Sequence, residues 1–343
     1  MNHGILRYLP GLVLLAPLLA QGMTPTEQCK PSPGNASLGS YGSMAIASGV
    51  PAMQLSGGAR CTLKGYPIRE NWIRLRPENL AGGALRDAAT GETIPFELYG
   101  DAGLTRRLRQ GQVYDYSGFP FPGGTPDVSR FPLYVRLLAT NVTPGTYAAT
   151  LQLRWYWRIC VAGRVLGACY FPGWDITPGV SGGCILEVCT SAPSNWGSGV
   201  LTNLRLTVQV SRDCRLSAPE VNFGSAPLVT SFQPVQQRIQ IRCSKGLRYD
   251  VGLSDGANAS GGQRRMASGG NRLAYELYKS PGGSERWGST GNERRPSSSA
   301  ELNPGSLDGL TYQGFDYRAE ILPDQPTPPA GTYSDSVVVD VKF

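Results

Sequence analysis

Apolar and polar residues alternate with a period of two along much of the chain. In "AGTYSDSVVVDVKF", Val337, Val339, Val341 and Phe343 alternate with Ser336, Val338, Asp340 and Lys342, the pattern of a strand with one face buried. Leu204, Leu206, Val208 and Val210 repeat it in "LTNLRLTVQV", and "GTYAATLQLRWYW" repeats it from Gly145. In "RWYWRIC" the pattern carries large side chains on both faces, because Trp155 and Trp157 flank Tyr156. Turns rich in Gly, Pro, Asn and Ser separate these runs and no long heptad pattern is present, so the chain is predicted to be all-β with little helix.

The strands recur in order. Cys29 precedes "LGS" (Leu38 to Ser40) by the same spacing at which Cys214 precedes "FGS" (Phe223 to Ser225). "GARCTLKGYPI" with Cys61 then answers to "QIRCSKGLRYDV" with Cys243, "IPFELYGDAG" to "LAYELYKSPGG", and "TPGTYAATLQL" to "PAGTYSDSVVV". The corresponding landmarks lie 185, 185, 182, 179 and 186 residues apart. Five ordered matches at a nearly constant offset indicate a duplicated fold. The expected architecture is two tandem immunoglobulin-like Greek-key β-sandwiches, in residues 21–211 and 212–343. In each copy a cysteine pair, Cys29 with Cys61 and Cys214 with Cys243, ties the first strand to its neighbour.

The copies differ at their ends. The strand starting at Gly145 is followed by a long excursion and then by the strand containing Leu204 to Val210, whereas the second copy stops at the counterpart of the earlier strand. The C-terminal sandwich is therefore expected to lack its last strand and to expose a groove along Val337, Val339, Val341 and Phe343. An unpaired edge beside an apolar groove invites a strand from another polypeptide.

Composition narrows the setting. "LPGLVLLAPLLA" after Arg7 reads as a secretory signal peptide over residues 1–20, with Ala20 as a cleavage residue. All eight cysteines follow it, and their spacings lack paired zinc knuckles, so disulfides in an oxidising compartment are expected. The only histidine is His3 inside that leader, which removes Ser-His and Cys-His nucleophile arrangements and histidine metal sites from the mature chain. No carboxylate pair stands out, and no enzyme activity or cofactor is expected. The net charge of +7 comes from scattered Lys and Arg, which reads as a solvated surface and not as a nucleic-acid footprint.

At the second copy the residues become specific. "CRLSAPEVNFGS", "IRCSKGLRYDVGLSDG", "RRMASGGNRLAYELY", "RWG" and "PAGTYSDSVVVDV" resemble the spore coat protein U domain, the pilin domain of archaic chaperone/usher pili of the Csu type. The resemblance covers Cys214 to Phe343 closely and Cys29 to Val210 more loosely. It implies a periplasmic chaperone that caps the groove, an outer-membrane usher, and a neighbouring pilin subunit as strand donor. Ordinary subunits of that family carry a donor strand ahead of their first cysteine; here only "QGMTPTEQ" lies between the expected cleavage point and Cys29. A subunit that accepts a strand but donates none occupies the end of a head-to-tail polymer. The expected place is a cell-surface pilus tip, reached through the periplasm.

Chain direction places two loops at the pole of the first sandwich far from the second. The excursion Trp155 to Asn203 holds four cysteines, paired either nested (Cys160 with Cys189, Cys169 with Cys184) or sequentially (Cys160 with Cys169, Cys184 with Cys189), and carries Tyr170, Phe171 and Trp174. The loop "VYDYSGFPFPGGTPDVSRFP" carries Tyr116, Phe119 and Phe121. Exposed aromatics on both loops would form an apolar patch for an abiotic or host surface. A lectin-like tip using the same rings to stack on sugars, or a secreted coat or matrix protein, are the rival readings. Arg264, Arg265 and Met266 match a family motif but read as structural residues at a strand end.

Overall fold

A computed structural model describes residues 29–343 apart from 33, 56–57, 62–70, 119–132, 161–168, 170–173 and 186–187. The expected signal peptide lies outside the described residues.

The first sandwich is organised by β1 (Gly34–Gly42), β2 (Asn71–Asn79), β3 (Ala84–Asp87), β4 (Thr93–Tyr99), β5 (Tyr134–Leu137), β6 (Gly145–Cys160) and β7 (Val200–Ser211). Their order across the sheet is β1–β7–β6–β3–β4–β5, and β2 also pairs with β6. The sixteen residues of β6 span about 50 Å when extended. Its first part pairs antiparallel with β7, from Gly145 opposite Val210 to Trp155 opposite Val200. The alternation seen in the sequence is the burial pattern: Leu204, Leu206, Val208 and Val210 face inward with Tyr147, Leu151, Leu153 and Trp155. Tyr156 and Trp157 are buried as well, so the end of β6 is covered on both faces.

The second sandwich repeats this plan with β8 (Cys214–Ser217), β9 (Val235–Cys243), β10 (Asp250–Leu253), β11 (Arg265–Ser268), β12 (Asn271–Tyr278), β13 (Arg295–Pro296), β14 (Gln313–Ile321) and β15 (Val339–Lys342). One sheet runs β8–β9–β14–β12–β11 and the other β13–β10–β15. Its separate core centres on Trp287 and Phe315, both fully buried, with ring centroids 6.1 Å apart. Cys214 and Cys243 form a disulfide across β8 and β9. Cys29 is disulfide-bonded and lies opposite Cys61 in the strand register of the first sandwich.

The junction between the sandwiches is polar and tied down. In the linking segment, Asp213 accepts hydrogen bonds from Ser43 Oγ (2.6 Å), Ser244 Oγ (2.8 Å) and the Met44 N–H (3.1 Å). Beside it Lys245 Nζ reaches Glu92 Oε1 at 2.6 Å, while Glu92 Oε2 accepts from the Thr143 N–H and hydroxyl, both at 2.7 Å. Burial alone would raise the Glu92 pKa; the Lys245 and Thr143 donors outweigh it and bring it down from 4.5 to about 2. A depressed carboxylate stabilises the fold above its ordinary pKa and loses that contribution as pH falls through the folded-state value. The wild-type thermal midpoint is therefore expected to drop more than that of Glu92→Gln between pH 4.5 and pH 2, by the equivalent of about 1 to 2 kcal/mol once solvent screening is allowed for. Parallel melting curves for the two proteins across that interval would remove the junction from the acid response.

Candidate functional site

The two copies diverge along one line, the place of β7. In the first copy β7 lies between β6 and β1, antiparallel to the one and parallel to the other. In the second copy β15, the counterpart of the far part of β6, pairs with β10, and among the described residues no strand pairs with its other edge. The counterpart of β1, residues 219–227, forms no strand. The physical reason is that β1 is paired only through β7, so without that neighbour its counterpart has no ladder to join.

The unpaired segment nevertheless keeps the local shape of β1. Gly39 sits with φ +94° where the β1–β7 register slips, and its counterpart Gly224 has φ +75°. Only glycine adopts that conformation without strain. The inward residues also correspond. Ala36 and Leu38 are buried in the core of the first copy, whereas Val221 and Phe223 pack half-buried against the core of the second. On the opposite wall Val337, Val339 and Val341 are half-buried and Phe343 is 54 % exposed. Residues 219–227 and β15 thus each carry apolar side chains that are half-buried against the second core, and among the described residues no strand joins the two segments.

The wall at 331–338 is held by polar clamps. Ser334 exchanges backbone hydrogen bonds with Ala267 of β11, and the Ser254 N–H donates to the Val338 carbonyl at 2.9 Å. Tyr275 Oη donates to Asp335 Oδ2 at 2.7 Å, and Asn258 donates to Asp335 Oδ1 from both its backbone N–H and Nδ2, each at 3.1 Å. Burial, reinforced by the bond to Asp335, pushes the Tyr275 hydroxyl pKa up.

The distal pole of the first sandwich differs from expectation. Tyr116 is 6 % exposed and Trp174 is 2 % exposed, so neither is a surface contact. Tyr116 lies in the core under the Arg106 guanidinium, 4.5 Å from its ring centre, and burial pushes its hydroxyl pKa up to about 12. Trp174 continues the sheet beside the end of β6, stacks at 5.5 Å on Trp72, and donates its indole N–H to the Cys169 carbonyl at 3.1 Å. Both rings plug the end of the sandwich because each has an apolar neighbour within reach, which costs less than exposing the ring to water. Phe119, Phe121, Tyr170 and Phe171 lie outside the described residues.

The excursion's cysteines pair sequentially, Cys160 with Cys169 and Cys184 with Cys189, and the nested arrangement is not formed. The second disulfide clips a small hairpin in which Ile185 is 77 % exposed, the most exposed large apolar residue described. The sequence signal for Ile185 is the tight spacing of Cys184 and Cys189 around an aliphatic residue, not an aromatic ring.

The Spore Coat Protein U domain matches this sequence twice, over residues 15–154 and 200–340. The chain belongs to that family. Within the spore coat protein U fold, it is similar to a chain of the chaperone–tip adhesion subunit pre-assembly complex from the archaic chaperone–usher Csu pili of Acinetobacter baumannii, at 29 % identity and a TM-score of 0.68. That alignment covers 92 % of this chain and all of the other. Weaker alignments reach the adhesive subunit of CFA/I fimbria of enterotoxigenic Escherichia coli (12 % identity, 90 % of this chain and 92 % of the other, TM-score 0.29) and the CupB6 tip adhesin from Pseudomonas aeruginosa (12 %, 91 % and 92 %, 0.28). Agreement at that level carries no structural argument. No curated protein matches the sequence.

Proposed function

We propose that this spore coat protein U protein is the tip subunit of an archaic chaperone–usher pilus, with an adhesive sandwich in residues 21–211 and a pilin sandwich in residues 212–343 behind a signal peptide in residues 1–20. The observation that carries the reading is the groove: one copy fills the place between its β1 and β6 with its own β7, and the other leaves the matching place open. In this reading a periplasmic chaperone covers the groove after export, an outer-membrane usher exchanges it, and the next pilin subunit supplies the permanent strand. The similarity to the Csu tip-subunit complex supports a chaperone partner and a place at the pilus tip.

Attachment is assigned to the distal pole, about 50 Å of strand away from the junction. Ile185 on its disulfide-clipped hairpin is one apolar contact there, and Phe119, Phe121, Tyr170 and Phe171 are proposed as others. A rigid hairpin loses little entropy on binding. The partner is an apolar abiotic or host surface, and biofilm formation is the expected outcome of binding it.

In assembled pili, replacing Phe119, Phe121, Phe171 and Ile185 together by Ala is expected to reduce attachment to bare hydrophobic plastic at least tenfold, with pilus number unchanged. Trp174→Ala is excluded from this test because the buried ring supports the fold. Full attachment by the quadruple variant would refute the apolar-loop reading; loss of glycan binding with attachment to plastic intact would favour a lectin-like tip.

A further inference from the structure

The groove is not uniformly apolar. Between the half-buried Tyr333 and Val337 stands Asp335, on the inward-facing row of the wall. Its counterpart in the first copy is Ala149, which is buried and pairs with Leu206 of β7, itself fully buried. Tyr275, which holds Asp335, stands where the repeat places Phe96 in the first copy. An apolar contact in one copy has thus become a carboxylate held by a phenol and an asparagine in the other.

The slot is built around that carboxylate. A Cβ on Gly256 would lie 2.0 Å from Asp335 Oδ2, so the glycine leaves the room that the side chain occupies. Phe223 from the opposite wall packs edge-on against Tyr275 at 6.4 Å, which places the slot inside the groove. Asp335 Oδ1 accepts two hydrogen bonds and Oδ2 accepts one. A carboxylate oxygen accommodates two, so one acceptor position remains open on Oδ2.

Building on the donor-strand reading above, we propose that the incoming strand carries a small hydroxyl residue, Ser or Thr, opposite Asp335, with apolar residues at the alternate positions on either side. The first copy supplies the register. A strand lying antiparallel to the wall as β7 lies on β6 puts the Val200, Thr202 and Leu204 places opposite Val341, Val339 and Val337 in turn, then the hydroxyl opposite Asp335 in the Leu206 place, then the Val208 place opposite Tyr333. A Leu in the Leu206 place would seal the carboxylate from water and leave its open acceptor unfilled, a penalty that a hydroxyl donor removes. Threonine meets the need best because it also favours extended backbone.

The test appends to the full chain, through a short glycine-rich linker after Phe343, a copy of its own Val200–Val210 segment, with either Leu or Thr in the place of Leu206. The Thr version is expected to melt about 3 °C or more above the Leu version, and the order is expected to reverse when Asp335→Ala restores the residue of the first copy. A Leu version that melts as high as or higher than the Thr version in the wild-type background would overturn the polar slot while leaving strand donation intact. If neither strand raises the midpoint above that of the unextended chain, the donor-strand reading fails and the slot with it. The wild-type comparison decides by itself, so an Asp335→Ala chain that does not fold leaves the test standing.

Discussion

Arg264→Ala is expected to destabilise the second sandwich by about 3 to 5 kcal/mol, the usual cost of stripping one partner from a buried ion pair. Arg264 is fully buried. Its Nε donates to the Ser254 carbonyl at 2.9 Å, its Nη2 to the carbonyls of Leu253 at 3.0 Å and Trp287 at 2.7 Å, and its Nη1 to Glu276 Oε1 at 2.5 Å. Removing it orphans carbonyls on the strand that supports β15 and leaves Glu276, 8 % exposed, with Arg286 as its remaining cation. The neighbouring Arg265 is half-exposed, and its replacement by Ala is expected to cost no more than about 0.5 kcal/mol. Urea unfolding of the strand-complemented chain measures both. Equal effects from the two substitutions would show that the buried network does not support the wall.

The larger effect concerns the groove. Produced without a chaperone or a complementing strand, the chain is expected to aggregate or be degraded, and either addition is expected to restore soluble, cooperatively folding protein. The first copy provides the scale: β7 buries Leu204, Leu206, Val208 and Val210 almost completely. At about 1.5 to 3 kcal/mol for each fully buried aliphatic side chain, their loss is on the order of 10 kcal/mol, comparable with the whole stability of a domain. The comparison to make is the yield and unfolding midpoint of the chain alone, with coproduced chaperone and with an appended strand. A chain that is monomeric and unfolds cooperatively by itself, with the outer edge of β15 already paired, would end the donor-strand account.

Much of the fold was legible because it rests on local periodicity and on the likeness of the chain to itself. The alternation around Leu204 to Val210 and Val337 to Phe343 locates strands without knowledge of their neighbours. The offsets between "LGS" and "FGS" and between the two "GTY" runs locate the same turn and strand twice. Comparing the copies then points to the place of β7, where among the described residues no strand pairs with the second edge of β15.

The candidate sites were less legible. Tyr116 and Trp174 sit in loops with the composition of an exposed patch, yet Arg106 and Trp72 arrive from other parts of the chain and enclose them. The pairing of Cys160 with Cys169 depends on a turn bringing two nearby residues together after the end of β6, for which spacing alone leaves both arrangements open. The alternation puts Asp335 on the inward row, but that Tyr275, Asn258 and Gly256 surround it depends on segments brought in from elsewhere in the chain.

By itself, then, the sequence determined the all-β character of the chain and its duplication, since each depends on neighbours along the chain or on repetition within it. The tertiary structure alone decided that the Tyr116 and Trp174 rings are buried, which cysteines of the excursion join, and that the Asp335 carboxylate is held by Tyr275 and Asn258. Those outcomes depend on how turns and segments meet in space, and a residue's type does not say what will come to lie against it.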